Sequence, residues 1–466
     1  MADLSSLSHR FAQTVFEPYW SETVRDPLSL PALSGTQSCD LAIVGAGFTG
    51  LWSALKARER HPDARIILLE GRRLAQAASG RNGGFCAPSI SHGVGNALER
   101  WPDEAETLVR LGLSNLDALE SDLTRYGIEA EFERTGKVNL AATDWQAKGL
   151  ASMRAAHARF GMDSRLIDGP DLAAKLDSPA YPKGLFEENY AYVNPARLVH
   201  GLARACLDAG VEIYETTQVT GLAETPDALR LTTKDGEVSA RKVILATNAD
   251  VPLLRRLRPT IIPIYDYTIM TEPLSDAQLA SIGWTGRHGV ADSGNQFHYS
   301  RKTADNRILW GGYDAVHHYG SKRDAGLLNR ADSYARLEAN FLATFPALAD
   351  VRFSHAWGGI IDTSARLTFF AGTACGGRLA YALGFTGQGV SATRFAALTL
   401  LDHLDGLKTE RTALRMTSKT PVPFPPEPLR SLAIHWAQSD LAREDRTGRR
   451  SALLRLMDRF GIGFGS

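Results

Sequence analysis

A short apolar run, residues 39–44, passes directly into Gly45-x-Gly47-x-x-Gly50, and a helix-forming stretch, residues 51–60, follows at once. This order limits what the chain can become more than any other feature. The first glycine permits a tight turn, the second lets the backbone approach a pyrophosphate, and the third allows a helix to pack closely on a strand. Amides at the helix start, aided by the helix dipole, attract phosphate charge. Residues 65–70 form a second apolar strand, completing a βαβ unit of about 30 residues. Glu70 ends that strand, and a carboxylate there can accept hydrogen bonds from both hydroxyls of a ribose while repelling a 2′-phosphate. A glycine turn holding no ligand is the rival interpretation; the acid and the strand–turn–helix order weigh against it.

The chain has 466 residues, enough for two or three domains. Hydrophobic residues make up 44% and charged residues 22%, which is globular usage and excludes a disordered or fibrous chain. Lys+Arg and Asp+Glu both number 52, so no basic surplus supports nucleic-acid binding. Cys39, Cys86, Cys206 and Cys375 form no C-x-x-C pair and are too few for a disulfide scaffold; they fit a reducing compartment. The first 20 residues are polar and lack the apolar core of a signal peptide. No stretch reaches the ~18 apolar residues of a membrane span. A soluble, cytoplasmic protein is expected. Apolar spacing predicts helices over 96–127, 145–160, 195–209, 323–345 and 453–460.

Three further segments carry a resemblance. They are Ser79-Gly80-Arg81-Asn82-Gly83-Gly84, the run Val-Ile-Leu-Ala-Thr-Asn at 243–248, and Leu-Gly-Phe-Thr-Gly-Gln-Gly-Val at 383–390. With them, residues 35–405 resemble the D-amino acid oxidase and glycine oxidase family of FAD-dependent oxidoreductases, most nearly its γ-glutamylputrescine oxidase branch. The resemblance implies an α/β mixed fold: a Rossmann-like FAD-binding domain with a second, substrate domain built on an antiparallel sheet. The expected boundaries are an N-terminal extension, 1–38; a discontinuous FAD-binding domain, 39–95, 191–259 and 356–410; a substrate domain, 96–190 and 260–355; and a C-terminal helical tail, 411–466. The implied cofactor contacts are Gly45, Gly47, Phe48, Thr49 and Gly50 at the phosphates, with Glu70, Gly71, Arg72 and Val219 toward the adenosine. Ser79, Arg81, Asn82, Gly83, Gly84, Ala246 and Thr247 would lie along the cofactor. Gly384, Gly387, Gln388, Gly389 and Val390 would turn amides toward the flavin ring. Some relatives tether the flavin through a cysteine in the segment matching 357–364, which here has none, so FAD is expected to be non-covalent.

In that family an amine carbon gives up a hydride to the flavin, so geometry and a neutral amine matter more than a strong base. The implied activity is oxidation of the C–N bond of an amine or amino acid, with oxygen or another acceptor reoxidising the flavin. His298, Tyr299, Trp357 and Phe385 are the catalytic candidates; Tyr265, Tyr267, Arg301 and Trp310 are the substrate-binding ones. Core packing is the competing explanation for each aromatic. His298 would titrate near neutrality. Arg301 and Arg366 are the candidate carboxylate clamps, with surface ion pairing as the alternative. His317-His318 lacks a supporting carboxylate cluster, and no metal is expected. Residues 307–313 lack the lysine that some family oxidases use toward oxygen, which leaves a dehydrogenase open. The rivals are a flavin-binding accessory protein without turnover and an NAD-dependent dehydrogenase.

Overall fold

Leu41–Val44, the second half of the strand Gly35–Val44, is apolar on both faces and needs cover from both sides, and a parallel sheet with helices packed on it supplies that cover. In the computed structural model, which describes residues 4–463, it lies between Ile66–Leu69 and Gly236–Leu245, parallel to both. The outermost residues of the expected extension and tail, 1–3 and 464–466, lie outside the described residues. Glu212–Tyr214 extends the sheet beyond Ile66–Leu69. The long strand Gly236–Leu245 changes partners midway. Its first half pairs antiparallel with Leu229–Thr232 of a hairpin, and its second half runs parallel to Leu379–Leu383. Helices Phe48–Arg60, Pro195–Asp208 and Gly389–Leu404 bury one core against this sheet.

A second eight-stranded sheet runs in the order Phe353–Ser364, Ile261–Thr271, Ile308–Gly312, His298–Lys302, Gly289–Asp292, Lys137–Ala141, Lys183–Glu187, Ser164–Asp168. Every neighbouring pair is antiparallel except Gly289–Asp292 with Lys137–Ala141. Side chains alternate across a strand, so register assigns each residue to a face. Thr268 faces both Gly311 and Trp357, and Tyr299 faces Gly311, so these four form one row on one face. Ile269 faces Trp310, which faces Ser300, on the other. Helix Ala331–Thr344 covers that other face with Tyr334, Leu337 and Phe341 against Tyr265, Tyr267, Ile269 and Trp310. The face with Met270, Leu309 and Trp357 packs instead on Trp20 and on Ala196 of the first half.

Two expected helices change. The helix expected over 96–127 breaks into Gly93–Arg100 and Ala105–Arg125, because Pro102 pushes Trp101 out of helical geometry. The helix expected over 323–345 shortens to Ala331–Thr344 after a 3₁₀ turn at Ala325–Leu328. The expected N-terminal extension is packed on the rest of the chain. Phe11 is buried with its ring 4.9 Å from that of Phe353, Val15 bridges His355, and Trp20 is fully buried.

Candidate functional site between the two sheets

Gly45 adopts φ +103°, and a Cβ on it would lie 2.5 Å from the carbonyl oxygen of Ala246. Gly50 faces a tighter limit, with a Cβ falling 1.8 Å from the Gly45 carbonyl oxygen. The turn therefore closes only with glycine at both positions. Glu70 sits beside it, accepting hydrogen bonds from the amides of Ala46 (2.8 Å) and Arg72 (2.9 Å). Burial raises its pKa, and those amides oppose the rise. The Arg72 guanidinium is held by Asp250 at 2.9 and 3.0 Å. Gly71 packs on the Gln218 side chain, and Val219 is buried in the core beneath Leu69. Thr49 is buried in the first turn of helix Phe48–Arg60.

The Ser79 segment lies against the same turn. Ser79 Oγ accepts from the Phe48 amide at 3.0 Å, at the start of helix Phe48–Arg60. Asn82 folds its own loop by accepting from the Gly84 amide (2.8 Å) and donating to the Ala78 and Ser79 carbonyls. Arg81 donates to the Gly358 carbonyl at 2.9 Å, and Trp357 Nε1 donates to the Arg81 carbonyl at 2.8 Å. A Cβ on Gly83 would meet the Tyr299 ring at 3.0 Å. The segment thus joins the glycine turn of the first sheet to the second sheet.

The late glycine turn enters from the far side of strand Phe353–Ser364. Asp362 is fully buried and accepts from the Gly384 amide at 2.6 Å. Burial pushes its pKa up to about 7. Sequence reasoning missed this residue, which carries no motif of its own. Gly384 and Gly387 take φ of +84° and +81°. Gly389 differs: its φ is unremarkable, and a Cβ would meet nothing closer than 3.7 Å. Packing within the chain does not require glycine at 389, whereas close approach of a ligand to the backbone would. Gln388 occupies the N-cap position of helix Gly389–Leu404 without a side-chain capping bond, and Val390 is buried in its first turn.

The second sheet divides the substrate candidates. Tyr299, Arg301 and Trp357 face the glycine turns, whereas Tyr265, Tyr267, His298 and Trp310 lie on the opposite face under helix Ala331–Thr344. His298 stacks on Trp310 at 4.3 Å and contacts Asn340 at 3.0 Å; burial lowers its pKa to about 4, so it stays neutral. Phe385 stacks on Phe369 at 5.3 Å in the core of the first half rather than forming a wall. Arg301 is neither a surface ion pair nor an open clamp. It is buried, donates to the Val193 carbonyl at 2.6 Å and lies over the rings of Trp20 and Tyr192. Arg366 donates to the Met416 carbonyl at 2.6 Å over Trp101, away from this face.

Two residues unmarked by any motif complete the face. Tyr299 OH donates to Asp266 at 2.7 Å and contacts Thr268 Oγ1 at 3.2 Å. Burial and the charge of Asp314 raise the Asp266 pKa to about 6, against the lowering effect of the Tyr299 hydrogen bond. Among the described residues no metal-binding cluster occurs, and no helix is long and apolar enough to cross a membrane.

Residues 40–402 match the family model described as FAD dependent oxidoreductase, DAO. The chain is 30% identical over 399 residues to γ-glutamylputrescine oxidoreductase of Escherichia coli, covering 83% of this chain and 88% of that protein. It is 29% identical over 396 residues to a probable oxidoreductase, OrdL, of Haemophilus influenzae, with the same coverage. Among solved structures, glycine oxidase from Geobacillus kaustophilus superposes with a TM-score of 0.69 at 19% identity, covering 83% of this chain and 100% of that one. L-proline dehydrogenase from P. horikoshii superposes with a TM-score of 0.66 at 18% identity, covering 82% and 96%. The two-sheet fold is thus a known architecture, and the chain belongs to the DAO family of FAD-dependent oxidoreductases.

Proposed function

We propose that the chain holds FAD non-covalently between its two sheets and oxidises the C–N bond of a small amine or amino acid. The observation that carries this reading is Gly389, a glycine the chain's own packing does not need, at the start of a helix whose turn is braced by buried Asp362. When bound, FAD supplies the two-electron acceptor for a hydride from carbon. The chain's residues would bind and orient. The Gly45–Gly50 turn and the start of helix Phe48–Arg60 offer amides to the pyrophosphate. Glu70 is placed to exchange its backbone partners for ribose hydroxyls. Ser79–Gly84 with Ala246 and Thr247 would line the cofactor's length, and the helix start at 387–390 would face the flavin carbonyl end.

Non-covalent binding is supported by the thiols. No cysteine lies in 357–364, and Cys86 is fully buried with its thiol pushed up to about 12, so it is protonated and unreactive. Met270, Leu309 and Trp357, buried beside Tyr299 on the same face, exclude water from that end of it. In this reading the first sheet would hold the cofactor and the second would present the substrate face; strand Phe353–Ser364 of the second sheet crosses the expected boundary at 356, and helix Ala105–Arg125 packs in the first core.

The test is an anaerobic titration of the purified protein with amines and amino acids, followed in the visible spectrum. Bleaching of a bound flavin by at least one is expected, with the flavin released on denaturation. A protein that carries flavin yet is bleached by none would overturn the reading in favour of an accessory role. Oxygen uptake during turnover separates an oxidase from a dehydrogenase.

A further inference from the structure

We propose that Asp266 receives the amino group of the substrate as an ammonium and takes up the one proton it must lose before hydride leaves its carbon, that Tyr299 holds the carboxylate in position, and that the site therefore takes amines without an α-carboxylate in preference to α-amino acids. This rests on the function proposed above and names its substrate class.

The charges on the face carry the argument. An α-amino acid presents a carboxylate beside its amine, and its usual partner is an arginine fork. No guanidinium fork is open to this face. Arg301 is fully buried; its Nη1 donates to the Val193 carbonyl, its plane lies over two aromatic rings, and its unpartnered Nε is sealed from any incoming carboxylate. Arg81 donates to Gln76, Gly358 and Glu17, and Arg330 pairs with Asp314 and Asp332. Arg323 is held by backbone carbonyls of Ala249 and Ser321. Lys302, on the neighbouring strand, points to the opposite face and donates to the carbonyls of Trp284 and Thr285.

What the face does present is a carboxylate. Asp266 stands on strand Ile261–Thr271 beside Gly359, whose missing side chain leaves room next to Arg81 Cβ. It is partly exposed, and among the described residues no Lys, Arg or His forms an ion pair with it. Its two oxygens accept from the Tyr267 amide (2.9 Å), from Tyr299 OH (2.7 Å) and from the Gly312 backbone. A carboxylate oxygen has two acceptor sites, so capacity remains for an ammonium donor. The Tyr299 ring lies over Gly83 in the segment joining the sheets, which puts the pair at the boundary between substrate face and cofactor turns. A substrate carboxylate brought there would meet a like charge, which disfavours binding.

The experiment compares matched pairs of substrates on the flavin-loaded protein: short straight-chain monoamines and the same molecules bearing an α-carboxylate, such as butylamine and norvaline in both enantiomers. In the wild type, anaerobic flavin reduction by the better amine should exceed that by its carboxylated partner by roughly tenfold or more in kcat/KM. Asp266→Asn should raise KM for the amine by about tenfold and shrink the preference, with flavin content and spectrum unchanged. Asp266→Glu should restore part of the preference, and Tyr299→Phe should weaken it several-fold. A wild type reduced faster by the amino acids overturns the proposal without any variant. A loaded Asp266→Asn protein with an unaltered preference overturns it as well. A wild type reduced by neither class defeats the function proposed above instead, so the two failures are distinguishable.

Discussion

Gly50 and Gly389 are both glycines at helix starts, and the structure gives them opposite reasons for being so. At Gly50 the chain itself forbids a side chain, with a Cβ 1.8 Å from backbone oxygen. Gly50→Ala is expected to destabilise the fold by about 1–3 kcal/mol and to lose flavin, read as a lower denaturation midpoint and a lower flavin-to-protein ratio. At Gly389 nothing within the chain lies closer than 3.7 Å. Gly389→Ala should leave the apoprotein melting as the wild type does while weakening FAD retention. Equal FAD affinity in the two proteins would remove the ligand explanation. Residue by residue, the phosphate turn was legible because its spacing has a local cause. The substrate face was not. Tyr265, Tyr267, His298 and Trp310 are as aromatic as Tyr299 and Trp357, but a one-residue difference in register sends a side chain to the other face. Asp266 is a single acid between two tyrosines, and no local pattern marks it.

At the scale of elements, the short segment Ser79–Gly84 depends on others for its shape. Trp357 Nε1 donates to the carbonyl of Arg81 and Trp20 Nε1 to that of Asn82, at 2.8 and 2.9 Å. The two indoles meet edge to face, with centroids 6.5 Å apart. The N-terminal segment, read from sequence as an extension, therefore braces the loop that joins the sheets. Trp20→Ala is expected to cost about 3–5 kcal/mol, since it empties a fully buried site and strands a carbonyl. Chemical denaturation gives the stability loss, and the flavin-to-protein ratio should fall with it. A variant that keeps full flavin loading despite the lower midpoint would show that the loop holds its shape without this brace. The helix split at Trp101-Pro102 is the one boundary that the sequence could have shown more sharply, because proline restricts its predecessor locally.

Across the whole molecule, the tail beyond the family match ties the second half to the first. Ile434 on helix Leu429–Thr447 packs on Ile262 and Ile264 of the second sheet. Asp445 accepts from the amides of Asn295 (2.7 Å) and Gln296 (2.9 Å). Further on, Arg100 donates to the Gly461 carbonyl (2.6 Å) and the Gly463 amide to the Ala365 carbonyl (3.2 Å). Ile434→Ala should lower stability by about 2–4 kcal/mol and make the tail the first site of proteolytic cleavage, with flavin content retained. Cleavage elsewhere first would show that the tail is not held through this residue. Sequence alone determined the βαβ unit, the glycine turns and Glu70, because each follows from steric and dipolar rules acting over a few residues. Only the tertiary structure decided which aromatics face the cofactor turns, that Arg301 is fully buried, and that Asp266 stands beside Tyr299. Those facts depend on the pairing register of strands far apart in the chain, and a strand's own residues do not encode its neighbour.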